Sequence, residues 1–372
     1  MKNIVFVFIL FSSISSFSFA DNTDLDPRYN HPPMAGRDPQ TPTRPHDARL
    51  THNDVASVIA NQSPVKSQLQ RGTCSIFSAT ALLESLLKIK KNADIMDLSE
   101  EWLQYVVNRS SSNDGSTSST NFSAFLKYGM PKEELMPYIG ETWKALTDSP
   151  LAQERCGLFS NKPFFLTSCL IVHNDPRLYD TKDAVLLAQG ELHNPDFKLA
   201  RDQANEFKVK YFDPSGDETW YRVYRQDTKG HLDEGIPLTL DLDFYYGAWN
   251  HRLATGLEIG RNMEHWEHGV VGYPEHDSAD YENSWKKPAG HSFVIVGYDD
   301  NLEVTTEVLM KDGTTKKFPY KGVYYFKNSW GTGSFGINFT IDGVNYPGYG
   351  MITQKYAHEY GAFFMLDLKK KN

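Results

Sequence analysis

The chain has 372 residues, of which 40% are hydrophobic and 13% aromatic, enough apolar material for a sizeable core. Its formal net charge of −9 argues against a nucleic-acid binder, which usually carries a basic excess. With three cysteines in all, the fold must lean on its core rather than on a dense disulfide framework.

Met1 to Ala20 combine one Lys, an apolar stretch from Ile4 to Phe11 and an end at Ser18-Phe19-Ala20. This is the pattern of a secretory signal cleaved after Ala20, because the apolar core falls short of the about 20 residues that span a bilayer. No later stretch is long and apolar enough to span either. The expectation is an exported protein, secreted or periplasmic, free of the membrane after processing and monomeric. Asp21 to Arg49 is polar and Pro-rich and reads as a linker or extended arm. Residues 50–372 read as one folded domain.

Pro64 to Glu84 places Gln68 in a polar loop and Gly72-Thr73 in a small-residue turn ending at Cys74. From Cys74, Ile76, Phe77, Ala81, Leu82, Leu83, Leu86 and Leu87 recur at spacings of three and four, which predicts a helix with a wide buried face. A cysteine at a helix N-terminus meets unpaired N–H groups and the positive end of the dipole, both of which favour the nucleophilic thiolate. A buried structural cysteine would read the same way from this stretch alone. Asn113 to Thr120 is a polar loop without cysteine. Cys156 and Cys169 are expected to pair in an oxidising compartment.

Phe207 to Phe212 alternates and predicts a strand, as do Gly235 to Leu242 and the run Gly269 to Val271. His265 and His268 lie near carboxylates, but neither a Cys pair nor an HExxH pattern accompanies them, so no metal and no cofactor is expected. Further strands are predicted over Ser292–Val296, Thr305–Leu309, Val323–Lys327, Gly350–Thr353 and Ala362–Leu366. Helices around Cys74 with strands around His291 and Asn328 predict an α+β architecture.

His291 opens the run GHSFVIVGY, and Asn328 sits in KNSWGTG. A cysteine nucleophile needs a base, and the base needs a group to orient it; Cys74, His291 and Asn328 supply all three. With PVKSQ ahead of Cys74 and Phe77-Ser78-Ala79 after it, these blocks resemble the papain family of cysteine peptidases. LSEEWL (Leu98 to Leu103), Phe125 to Tyr138 and GIPLTLDL (Gly235 to Leu242) are weaker echoes. The resemblance covers most of Gln62 to Met365.

It implies a two-lobe fold, with Cys74 on a helical lobe and His291 and Asn328 on an antiparallel, barrel-like sheet lobe. It implies a peptide or protein substrate, catalysis by Cys74, His291 and Asn328, and an oxyanion held by Gln68 and the Cys74 N–H. Substrate contacts would fall to Gly72, Asp114, Gly115 and Trp330, with Trp330 also shielding the His–Asn bond. The expected activity is that of an endopeptidase, although an exopeptidase, an acyl transferase or an inactive binding homologue remains open. The chain also departs from the family. Ser75 stands for the usual Trp, Arg71 for a disulfide Cys, 140–199 is an insertion, and no folded propeptide precedes the domain. Residues 21–49 would then either occlude the cleft or serve as a tether.

Overall fold

The computed structural model describes residues 42–108, 113–173, 195–213 and 216–369. The proposed signal, the first part of the arm and the middle of the insertion lie outside them. Among the described residues no helix is long and apolar enough to cross a membrane.

Helices dominate the first half: α1 (Val55–Ile59), α2 (Cys74–Lys91), α3 (Glu100–Asn108), α4 (Ser118–Tyr128), α5 (Pro150–Cys156), α6 (Pro163–Val172), α7 (Pro195–Tyr211) and α8 (Arg225–Asp233). The predicted Cys74 helix is α2, buried along nearly its whole length from Ser75 to Leu87. Lys88, Lys90 and Lys91 in its last turn suit the negative end of the dipole, and Asn92 closes it in the left-handed region.

The second half is a seven-stranded sheet. Its strands are β1 (Thr219–Val223), β2 (Leu238–Asp243), β3 (Val270–Val271), β4 (Gly290–Leu309), β5 (Thr315–Lys327), β8 (Tyr349–Thr353) and β9 (Gly361–Asp367), with β6 (Thr340–Ile341) and β7 (Val344–Asn345) forming a separate pair. The order is β1-β9-β2-β4-β5-β8-β3, antiparallel except where β3 runs parallel to β8. His291 to Tyr298 of β4 are buried without alternation, because α2 packs on one face while core residues cover the other. The fold is thus α+β, with helix α2, which begins at Cys74, laid against the sheet.

Three expectations are corrected. Phe207–Phe212 is the end of helix α7, not a strand. Over a longer window the buried positions Ala200, Ala204 and Phe207, with the partly buried Tyr211, follow helical spacing, while Val209 within the alternating stretch is 82% exposed. Helix α7 also runs through position 199, so the insertion does not end there as a unit. Ser292–Val296 and Thr305–Leu309 are parts of one 20-residue strand. The register shift between Asp299 and Glu303 marks where β4 passes from continuous burial to alternation, with Val304, Thr306 and Val308 buried on one face and charged residues exposed on the other.

The described part of the insertion carries its own small core of Trp143, Ala152, Phe159 and Leu170 around a bonded Cys156–Cys169 pair. The described end of the arm lies on α8. The Arg44 backbone N–H donates to Asp227 Oδ1 at 3.1 Å, and His46 Nδ1 is 2.9 Å from Asp233 Oδ2. This anchorage is beside Tyr298, roughly 20 Å along β4 from His291 at strand rise.

Candidate active site

The site forms where the N-terminus of α2 meets the start of β4. Cys74 is the first residue of α2 and the one free cysteine among the described residues. The backbone N–H groups of Ser292, Ser75 and Cys74 itself point to its sulfur. His291 is the second residue of β4, opposite Leu242 of β2. Its Nε2 is 2.9 Å from Asn328 Oδ1, just beyond β5, leaving Nδ1 as the other ring nitrogen. Asn328 Oδ1 also accepts the Ser329 N–H at 2.8 Å, which fixes the amide from its own backbone.

An aromatic roof covers this pair. Trp330 stacks on His291 at 4.6 Å and 22°, and Trp266 stacks on Trp330 at 5.6 Å and 20°. Trp249 meets the His291 ring edge-on at 5.0 Å, and Phe244 at 5.9 Å.

Gln68 is buried and held at three points. Its N–H donates to Ser329 O at 2.9 Å, its Oε1 accepts Ser329 Oγ at 2.7 Å, and its Nε2 donates to Arg71 O at 2.8 Å. Tyr138 closes the turn by donating to Gln68 O at 2.9 Å while its hydroxyl meets Thr73 Oγ1 at 2.7 Å. Ser75, at the position of the family's Trp, has its Oγ 2.7 Å from Ser116 Oγ. Gly72 and Gly115 are exposed at the rim. The Asp114 carboxylate is committed to protein partners: Arg71 Nη2 and Gln104 Nε2 donate to Oδ1 at 2.7 and 2.9 Å, and Arg71 Nε to Oδ2 at 3.2 Å.

The electrostatics depart from expectation. Burial, reinforced by the Asp241 charge, pushes the Cys74 thiol up to about 11 against the three N–H groups. Burial also pushes the His291 imidazole down to about 3, against the bond to Asn328. Ionised singly, neither group is charged near neutrality. Proton transfer from thiol to imidazole would create both charges at once, and their mutual attraction, absent when either ionises alone, must then supply the difference.

Several contributors escaped sequence reading. Ser329 is legible only as part of KNSWGTG. Asp241 of β2 accepts the Ser118 N–H at 2.9 Å and Ser118 Oγ at 2.6 Å, and only the β2–β4 pairing, which sets it opposite Ser292, brings it toward the thiol. Trp249, Trp266 and Phe244 lie in segments whose aromatics read as ordinary core. No group of three or more His, Cys, Asp or Glu residues able to hold a metal ion occurs among the described residues.

A helix-borne cysteine set against a sheet-borne His–Asn pair is the arrangement that the resemblance in the sequence implied. Residues 51–167, the part of the chain that carries Gln68 and Cys74, match the model of the papain family cysteine protease. Solved structures similar to the chain include xylellain, a cysteine protease from Xylella fastidiosa, at 15% identity over 88% of this chain and 92% of that one, TM-score 0.45. The bromelain protease from Ananas comosus has 15% identity over 86% and 100%, TM-score 0.45. Digestive procathepsin L 3 of Tenebrio molitor larval midgut has 16% identity over 89% and 72%, TM-score 0.44. No curated protein matches the chain by sequence.

Proposed function

We propose that the chain is an exported cysteine peptidase that cleaves peptide bonds, as an endopeptidase, through Cys74 and His291. The observation that carries this reading is the His291 Nε2–Asn328 Oδ1 bond of 2.9 Å under Trp330, because it assigns the imidazole nitrogens. Nε2 is engaged by Asn328, and Nδ1 remains to take the thiol proton. Substrate binding brings a carbonyl to the sulfur, and the resulting thiolate–imidazolium pair attacks it. The Gln68 amide has one N–H on Arg71 O and a second N–H for the developing oxyanion, beside the Cys74 backbone N–H. Losing such a donor costs about a hundred- to a thousand-fold in rate. His291 returns the proton to the leaving amine, and water then releases the acyl group. Trp330 keeps water from the His–Asn bond, and Gly72 and Gly115 border the substrate channel. Residues 1–20 act as the export signal, 21–49 as a tether, and 50–372 as the catalytic domain working as a monomer without a cofactor.

A second reading has its own support. The singly neutral pair of a half-buried Cys74 and a buried His291 suits an inactive homologue that binds peptides without cleaving them. Titration with an epoxide directed at papain-like thiolates, read by intact mass beside Cys74→Ala, separates the two. Stoichiometric labelling near pH 6 that is lost in Cys74→Ala is expected of the peptidase. A folded protein that stays unlabelled, with or without residues 21–49, would sink the peptidase reading and leave the binding one.

A further inference from the structure

Behind the nucleophile loop lies a buried charge cluster to which the proposed chemistry assigns no part. The Arg71 guanidinium is fully buried. Its Nη1 reaches Glu101 Oε2 at 2.9 Å and the Ile139 carbonyl at 3.0 Å, and its Nη2 and Nε grip the Asp114 carboxylate at 2.7 and 3.2 Å. Glu101 is itself held from the insertion. His173 Nδ1 lies 3.1 Å from Glu101 Oε1, and Arg155 Nη1 lies 3.8 Å from the same atom. Burial alone would raise the Glu101 carboxyl, but the His173 bond and the Arg71 and Arg155 charges outweigh it and hold it below its ordinary value. The cluster is thus charged, and it joins four segments: the nucleophile loop, α3, the 113–117 loop and the disulfide-closed insertion.

What it fixes is the main chain at residue 71. The Arg71 carbonyl is the acceptor for Gln68 Nε2, at 2.8 Å. An amide has two N–H bonds in one plane, so pinning one on a fixed carbonyl sets the direction of the other. The side chain of Arg71 immobilises its own backbone, that backbone orients the Gln68 amide, and the amide presents its free N–H to the reacting carbonyl. We infer that Arg71 is a positioning residue for the oxyanion donor Gln68, with Glu101, Asp114 and the disulfide-closed insertion as its anchors. This rests on the peptidase reading given above. The role is one a disulfide could not fill in the same way, because four hydrogen bonds to three partners fix the guanidinium plane.

The test is a double-mutant cycle on the full-length, processed protein, with Arg71→Met, Gln68→Ala and the pair, followed by kcat and KM on a peptide substrate. Displacing a donor by an ångström costs on the order of a hundredfold, so Arg71→Met is expected to lower kcat by about ten- to a hundredfold with KM within about twofold. In the Gln68→Ala background the same substitution should cost less than about twofold, since the group it orients is gone. Equal losses in both backgrounds overturn the proposal, as does a loss confined to KM. If Arg71→Met does not fold by circular dichroism, Asp114→Asn removes one anchor and is judged by the same criterion. If the wild-type protein turns over no peptide, the peptidase reading fails first. The inference is then read from the Gln68 side-chain amide resonances, which must shift in Asp114→Asn; unshifted resonances overturn it.

Discussion

The two sides of the site are held by opposite chemistries. On the Cys74 side, Gln68 is oriented through Arg71, and Arg71 through carboxylates, an imidazole and a disulfide-closed satellite. On the His291 side, the imidazole is oriented by one hydrogen bond and packed under Trp330, Trp249, Trp266 and Phe244. Charges give directional constraint but cost desolvation, which only complete pairing offsets. Aromatic packing contributes burial energy and excludes water but constrains direction weakly. A nucleophile loop has no regular ladder of its own, so it needs the directional kind. A histidine at the start of β4 already has its backbone paired with Leu242 of β2, so packing suffices.

Acid should separate the two sides most strongly. Burial depresses His291 to about 3, and His231, His251 and His358 each to about 4, on the sheet lobe. A histidine whose folded pKa lies below its unfolded value near 6.5 contributes stability that is full above pH 6.5 and is lost as pH falls toward the folded value. Glu101 is depressed below 4.5, so its contribution persists above pH 4.5 and fades only below that. Between pH 6.5 and 4.5 the sheet side should therefore lose protection while the charge cluster keeps it. By pH 4 the summed loss is on the order of several kcal/mol, discounted for the partly exposed rings. Hydrogen exchange at pH 7, 5.5 and 4.5 checks this, and simultaneous loosening of both sides in that window contradicts it.

Breaking the charged side at its centre comes next. Glu101→Ala leaves Arg71, Arg155 and His173 facing one another in a buried space, and should cost about 3–5 kcal/mol in urea unfolding. A cost under about 1 kcal/mol would mean that water already compensates these charges. Removing the staple outside the cluster, with Cys156→Ser and Cys169→Ser together, opens a loop of sequence separation 13. It should cost about 3 kcal/mol, measured under oxidising conditions.

The aromatic side should break more gently. Trp330 is partly exposed, so Trp330→Ala should cost about 2 kcal/mol of stability. It should also admit water to the His291–Asn328 bond and depress epoxide labelling more than stability. If Trp330→Phe restores labelling, water exclusion is the role; if it does not, the indole itself is needed.

The sequence made the sheet side more legible than the charged side, for a physical reason. His291 heads the apolar run GHSFVIVGY and Asn328 directly follows the run GVYYFK, and the length and composition of both runs already mark buried strands. Helix α2 was legible because its apolar period is long. Arg71 could be noticed as a departure from a cysteine, but the other members of its cluster, Glu101, Asp114, Arg155 and His173, come from three separate segments, and nothing local marks a charge as buried. Helix α7 was misread because six residues of alternation outweighed a longer helical period. Asp241 hid in a strand whose neighbours are apolar, its meaning set by which residue of β4 it faces.

That carboxylate gives the smallest and most specific prediction. Asp241 is buried, raised by desolvation, and bonded to Ser118 and Ser292 rather than to a cation. Its negative charge raises the Cys74 thiol pKa, so Asp241→Asn, which keeps the shape and removes the charge, should lower it. Labelling measured against pH should then move its alkaline limb to lower pH, with faster reaction at pH 8 and little change in stability. Charge would then act on the Cys74 side from both halves of the site, the Arg71 cluster orienting Gln68 and Asp241 of the sheet opposing ionisation of Cys74. An unchanged pH profile would confine Asp241 to holding Ser118 in place and leave burial alone to keep the thiol neutral.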